Sequence, residues 1–123
     1  MFEKDLRIPL LLDVYGELLT ERKREMMDYY YNEDYSLAEI SEVTGISRQG
    51  VRDSVKKTVA ELHDLEEKLH MVEKMGAFEA CMAKVKAELA EMAESAADGM
   101  KPRIANVLKV ITETEEEHFP SVE

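Results

Sequence analysis

Residues 37–56 read LAEISEVTGISRQGVRDSVK, and this stretch decides the fold. Just before and into it, Ser36-Leu37-Ala38-Glu39 has the spacing of a capping box, in which the serine hydroxyl and the glutamate carboxylate each satisfy a backbone donor at a helix start. Nine residues after that cap, Gly45 can take the left-handed conformation that ends a helix, and Ser47 can cap the next one. Apolar Ile40, Ile46 and Val51 lock the two helices together, and Ser41 is small where they approach. These are the requirements of a helix-turn-helix. Thr44 is a departure, because such motifs mostly carry an apolar residue there.

The second helix of the motif carries the candidate site. Ser47, Arg48, Gln49, Arg52 and Lys56 lie at or near the outward face opposite Val51, Val55 and Val59, where such motifs present side chains to a major groove. Between residues 47 and 58, Arg48, Arg52, Lys56 and Lys57 stand against Asp53 alone, a local charge of +3 in a chain of net charge -11. Arginine can contact guanine edges with both of its outer nitrogens, glutamine can do so with adenine, and a capping serine with free amides can hold a phosphate. The competing reading is a helical corner whose basic face is only solvated.

Outward from the motif, every segment reads as helix. Leu6, Leu10, Leu11 and Val14 fall on one helical stripe, with Pro9 placing the regular start near Ile8. Thr20 caps a second helix bearing Met26, Met27, Tyr30 and Tyr31, which ends near Tyr31. Downstream, Val55, Val59, Leu62, Leu65, Leu69 and Val72 keep one stripe and predict a long helix reaching Lys74, broken by Gly76. Phe78, Met82, Val85, Leu89 and Met92 then form the seam of a second long helix, able to pair with the first as a hairpin. Pro102 opens a last short helix through Ile111, and Thr112 to Glu123 is an acidic tail expected to fray. The expected organisation is a helix-turn-helix domain over residues 1–75 and a helical extension over 76–123.

Composition agrees with an all-α fold. Hydrophobic residues make up 45% and charged residues 35%, with five glycines and three prolines in 123 positions, which favours long amphipathic helices. The acidic balance opposes non-specific attraction to phosphate backbones and anionic membranes, so a nucleic-acid site must be local. The single cysteine, Cys81, allows no internal disulfide. The longest apolar stretch, near Ile8 to Leu12, is far too short to span a bilayer. No signal core is visible in the first residues, and a cytoplasmic location is expected.

Other clusters carry less. His63 and His70 are seven residues apart, too far to chelate as an i, i+4 pair, so no metal site is expected. Tyr29, Tyr30, Tyr31 and Tyr35 could stack on bases, but aromatics at helical spacing more often close a core. Met71, Met75, Met82 and Met92 suit packing in a hairpin or dimer. A helix from Ser47 to Lys74 would extend about 42 Å, more than a small globule covers, which points to a homodimer through the long helices. No nucleophile paired with a base, no phosphate-cradling loop and no framed carboxylate pair is visible, so neither a cofactor nor enzyme activity is expected.

The stretch YGELLTERKREMMDYYYNEDYSLAEISEVTGISRQGVRDSVKKT, residues 15–58, together with LEEKL at 65–69, resembles the YlxM family of small bacterial helix-turn-helix proteins. The resemblance covers about Asp5 to Met75. The motif is also similar to the promoter-reading fourth region of sigma factors, so the resemblance implies a DNA- or RNA-binding regulator. It further implies an association with the signal recognition particle, with that particle's GTPase or RNA as partner. Two readings follow. One is a helix-turn-helix regulator using Ser47, Arg48, Gln49, Arg52 and Lys56 on nucleic acid. The other is an acidic interaction module that binds and modulates the particle GTPase without touching DNA.

Overall fold

The structure is a computed structural model that describes residues 4–118. Among them every regular element is helical: α1 Ile8–Tyr15, α2 Glu21–Met27, α3 Leu37–Thr44, α4 Arg48–Leu69, α5 Met71–Ser95 and α6 Lys101–His118. A 3-10 turn, Gly16–Leu18, follows α1, and a π-helical turn, Asp28–Asn32, extends α2. The chain divides into two compact units, the first ending at Glu73 and the second beginning at Lys74.

In the first unit α4 is the central post, packed by α1, α2 and α3. It buries Val51, Val55, Thr58 and Leu62 at spacings of 4, 3 and 4, the stripe a helix turns toward a core. Thr58 is the one polar member, and its hydroxyl donates to the Ser54 carbonyl at 2.8 Å, so its burial leaves no donor unmet. Around this post close Ile8, Leu11, Leu12 and Tyr15 of α1, Met26 and Met27 of α2, and Tyr30 and Ile40. Tyr29 stacks on Tyr35 with ring centres 5.1 Å apart, sealing the rim.

The stripe expected of α1 is inward only in part: Leu11 is buried and Val14 packs against the core. Leu6 and Leu10 are 89% and 55% exposed, while Ile8, Leu11, Leu12 and Tyr15 face inward. Spacings of 3, 1 and 3 make as good a helical stripe as the one expected, and only the position of α4 chooses between them. Tyr15 decides the phase, because its hydroxyl has work to do inside.

That work lies at the corner between α4 and α5, which falls at His70 and not at Gly76. The Glu66 carboxylate accepts the Tyr15 hydroxyl at 2.5 Å, the Val72 amide at 3.0 Å and the Glu73 amide at 3.0 Å. The Tyr15 hydroxyl in turn accepts the Met71 amide at 3.1 Å. The first three amides of α5 are thus satisfied by side chains of α4 and α1, which is what a helix start requires. His70 takes φ 54° to make the corner, a left-handed conformation that costs a non-glycine residue about 1 kcal/mol. Helix α5 then continues through Gly76, at which a Cβ would meet open space.

Burial resists ionisation of Glu66, but the Tyr15 hydroxyl and the two amides outweigh it and hold the carboxyl below its usual range. A carboxyl whose pKa falls on folding stabilises the fold above its unfolded pKa, and that contribution is lost as pH drops through the folded value. Thermal melts between about pH 5 and pH 3 are therefore expected to show part of the acid sensitivity disappear in Glu66→Gln. An identical acid slope in the variant would assign that sensitivity elsewhere.

The second unit holds α5 from Lys74 onward and α6, which folds back so that Lys86 Nζ lies 2.7 Å from Glu115 Oε1. Helix α6 is longer than expected: it runs through Thr112 and the Glu115–Glu117 run to His118, and the remainder of the expected tail lies outside the described residues. The pair with Lys86 explains part of this, since it holds the acidic run against a neighbouring helix.

Candidate nucleic-acid interface

The turn between α3 and α4 is built from side chains that each tie down one backbone group. Ser36 accepts the Glu39 amide at 3.1 Å and the Glu39 carboxylate accepts the Ser36 amide at 3.2 Å, the expected reciprocal cap. Gly45 closes α3 at φ 77°, a left-handed position suited to glycine. The Ser41 hydroxyl donates to the Ile46 carbonyl at 2.6 Å, so its smallness and its hydroxyl are both used. Thr44 donates to the Ile40 carbonyl at 2.7 Å and accepts the Ile46 amide at 3.3 Å. The polar residue that departed from the motif's usual pattern is thus a clamp across the turn.

Ser47 caps α4, its hydroxyl accepting the Gly50 amide at 3.0 Å. Gly50 sits in a close approach: a Cβ there would come within 2.9 Å of Ile46 Cγ2 and 3.1 Å of Ser47 Oγ, so a larger residue would force a neighbouring side chain to shift. With the cap in place, α4 points its first-turn amides and the positive end of its dipole outward.

Ser47, Arg48, Gln49 and Lys56 are exposed and Arg52 is half-buried. They occupy the N-cap and the first three turns of α4: Gln49 and Lys56 lie away from the buried stripe, whereas Ser47 and Arg48 precede Val51 by four and three residues and Arg52 precedes Val55 by three, on the flank of that stripe. Arg48, Arg52 and Lys56 follow one another at i, i+4 and i+8, a row about 12 Å long at 1.5 Å per residue. Gln49 belongs to the next row, where its Nε2 donates to Asp53 Oδ1 at 3.0 Å. Asp53, which enters the local charge balance as a lone carboxylate, thus also engages the Gln49 amide that was expected to face a base. The i, i+4 spacing of a glutamine and an aspartate was the available signal. Thr44 and Gly50 were likewise missed as builders of the turn, although a glycine inside a helical pattern is a flag for close packing.

Comparison with known proteins adds a family to this geometry. The sequence profile described as "Putative helix-turn-helix protein, YlxM / p13 like" (UPF0122) matches residues 2–101. The chain belongs to this YlxM / p13-like family. The match takes in the whole stretch from Asp5 to Met75 on which the resemblance was read, and reaches the start of α6. Among its relatives, the UPF0122 protein of Oceanobacillus iheyensis is 53% identical over 74 residues, covering 60% of this chain and 70% of the relative. That of Listeria welshimeri is 43% identical over 89 residues, covering 72% and 81%. That of Shouchella clausii is 38% identical over 105 residues, covering 85% and 96%. This YlxM family member is therefore a helix-turn-helix protein, and none of its described helices is long and apolar enough to cross a membrane.

Proposed function

We propose that this YlxM family member is a non-enzymatic regulator that lays the N-terminal half of α4 in the major groove of duplex DNA. The observation that carries the reading is the reversal of charge along α4: a basic row, exposed at Arg48 and Lys56 and half-buried at Arg52, on a capped helix in a chain whose net charge is -11. Arg48 and Arg52 read guanine edges, Lys56 meets the phosphate backbone, and Ser47 with the first amides of α4 holds a second phosphate. The acidic remainder of the protein repels DNA, which suppresses non-specific binding and leaves affinity dependent on the few contacts of α4.

The test is a fluorescence-anisotropy titration against duplex DNA, the signal recognition particle RNA and that particle's GTPase, at low and moderate salt. Each phosphate contact contributes a salt slope of about -0.9, so duplex binding that falls steeply with salt supports the reading. Binding to the GTPase alone, with no nucleic-acid signal, overturns it in favour of an accessory interaction protein.

Asp53 provides a second check. Its carboxylate sits on the same exposed rows and holds Gln49 at 3.0 Å, so Asp53→Ala both removes a charge that repels phosphate and releases the amide. Duplex affinity measured by the same titration is expected to rise by about three- to tenfold, on the order of 1 kcal/mol. A loss of affinity would show that Asp53 positions Gln49 instead of restraining it.

A further inference from the structure

We propose that the second unit associates with a second copy of this chain as an antiparallel four-helix bundle, two α5 and two α6, with the two-fold axis crossing the helices. Among the described residues from Lys74 onward only Ile104 is buried. Helices draw most of their stability from packing an apolar face, and this pair packs too little of its own. Phe78, Val85, Met92, Met100, Val107 and Val110 are between 36% and 55% exposed.

These residues lie on one side of the hairpin. Phe78, Val85 and Met92 recur every seven positions along α5, beside the inward row of Met82, Leu89 and Ala93. Met100 and Val107 repeat the same interval, on the corresponding flank of the row formed by Ile104, Leu108 and Ile111 in α6. Because the two helices run in opposite directions, flanks of the same rotational sense face the same way, and the six side chains form a single apolar layer. The opposite flank carries Glu79, Ala83 and Ala90 on α5 and Ala105, Thr112 and Glu116 on α6, small or charged residues. A hairpin with one apolar side is half of a four-helix bundle.

Charge selects the occupant as a copy of the same surface. From Lys74 to Lys86, α5 has Lys74, Lys84 and Lys86 against Glu79, and from there to its end it has Glu88, Glu91 and Glu94. In α6, Lys101, Arg103 and Lys109 precede Glu113, Glu115, Glu116 and Glu117. Beyond Glu73, charge thus passes from basic to acidic along each helix. An antiparallel neighbour matches it, as Lys86 and Glu115 do within the chain at 2.7 Å. A two-fold axis across the helices sets α5 against the partner's α5, and α6 against the partner's α6, in that same antiparallel sense. A parallel pairing of α5 with α5, or of α6 with α6, would set like charges side by side. Most of α6 lies beyond the residues matched by the family profile, so Val107 and Val110 of this surface fall outside the matched part.

The inference stands on the second unit and is independent of nucleic-acid binding by α4. Sedimentation equilibrium of the full chain at micromolar concentration is expected to give a dimer, and Val107→Glu with Val110→Glu a monomer of unchanged helical circular dichroism. Ala105→Glu with Thr112→Glu, on the opposite flank, is expected to remain dimeric. A monomeric parent, or a dimer that survives Val107→Glu with Val110→Glu, overturns the proposal. Orientation is read from a spin label at Ser95→Cys in a Cys81→Ala background. Ser95 is nine residues past Lys86, so helices crossing at that level place the two labels about 27 Å apart along the bundle. A separation of about 10 Å, one helix spacing, would mean a parallel pair and overturn the arrangement.

Discussion

Replacing Arg48 and Arg52 together by alanine is expected to weaken duplex binding by about 30-fold or more, with the fold intact. Each arginine that meets a base edge contributes about 1–3 kcal/mol, and each that meets a phosphate contributes about one unit to the salt slope. The double variant therefore loses affinity and salt dependence together, a signature that misfolding would not produce at an unchanged melting temperature. Arg48 is exposed and Arg52 half-buried, and neither belongs to the core stripe of Val51, Val55, Thr58 and Leu62. Anisotropy titrations at several salt concentrations, with thermal melts as control, make the measurement. Full binding by the double variant would remove α4 as the nucleic-acid element.

The largest effect on stability is expected from Ile40→Ala. Ile40 is the only fully buried residue of α3, and it belongs to the cluster closed around α4. Truncating a buried isoleucine loses its transfer free energy and leaves a cavity, costing about 2–5 kcal/mol. A domain of this size has only about 5–15 kcal/mol in all. Because α3 is eight residues long and marginal without its anchor, the loss is expected to loosen the turn as well and to reduce duplex affinity in step. Urea unfolding of both proteins measures it. A midpoint shift worth under about 1 kcal/mol would mean that the capping box and the Ser41 and Thr44 hydrogen bonds hold α3 without the core.

The motif was legible because its signals are local. Ser36 with Glu39, Gly45 and Ser47 act within a few residues of themselves, so their spacing alone predicts where α3 ends and α4 begins. The buried stripe of α4 was legible for the same reason, since it follows helical period. At the candidate site Ser47, Arg48, Gln49 and Lys56 are exposed and Arg52 is half-buried, and the local bond from Gln49 to Asp53 was passed over.

The other failures depend on partners far along the chain. Either of two stripes on α1 could have faced inward, and the position of α4 selected the one containing Tyr15. Gly76 is a stronger breaker than His70 by intrinsic preference. The chain nevertheless turns at His70, because Glu66 and Tyr15 stand ready to accept the amides of Met71, Val72 and Glu73. The carboxylate and the hydroxyl outweigh both the strain at His70 and the cost of a glycine within α5, about 1 kcal/mol each. The acidic run of α6 likewise remains helical with Lys86 brought beside Glu115.

By itself, then, the amino-acid sequence determined the all-helical class, the family and the position of the helix-turn-helix, because caps, a left-handed glycine and a 3.6-residue period are written over a few neighbouring residues. Only the tertiary structure decided which side of α1 is core and where α4 gives way to α5. A hydrogen bond between residues 51 positions apart in sequence, Tyr15 to Glu66, has no local trace, and its energy outweighs that of the local preference it overrides.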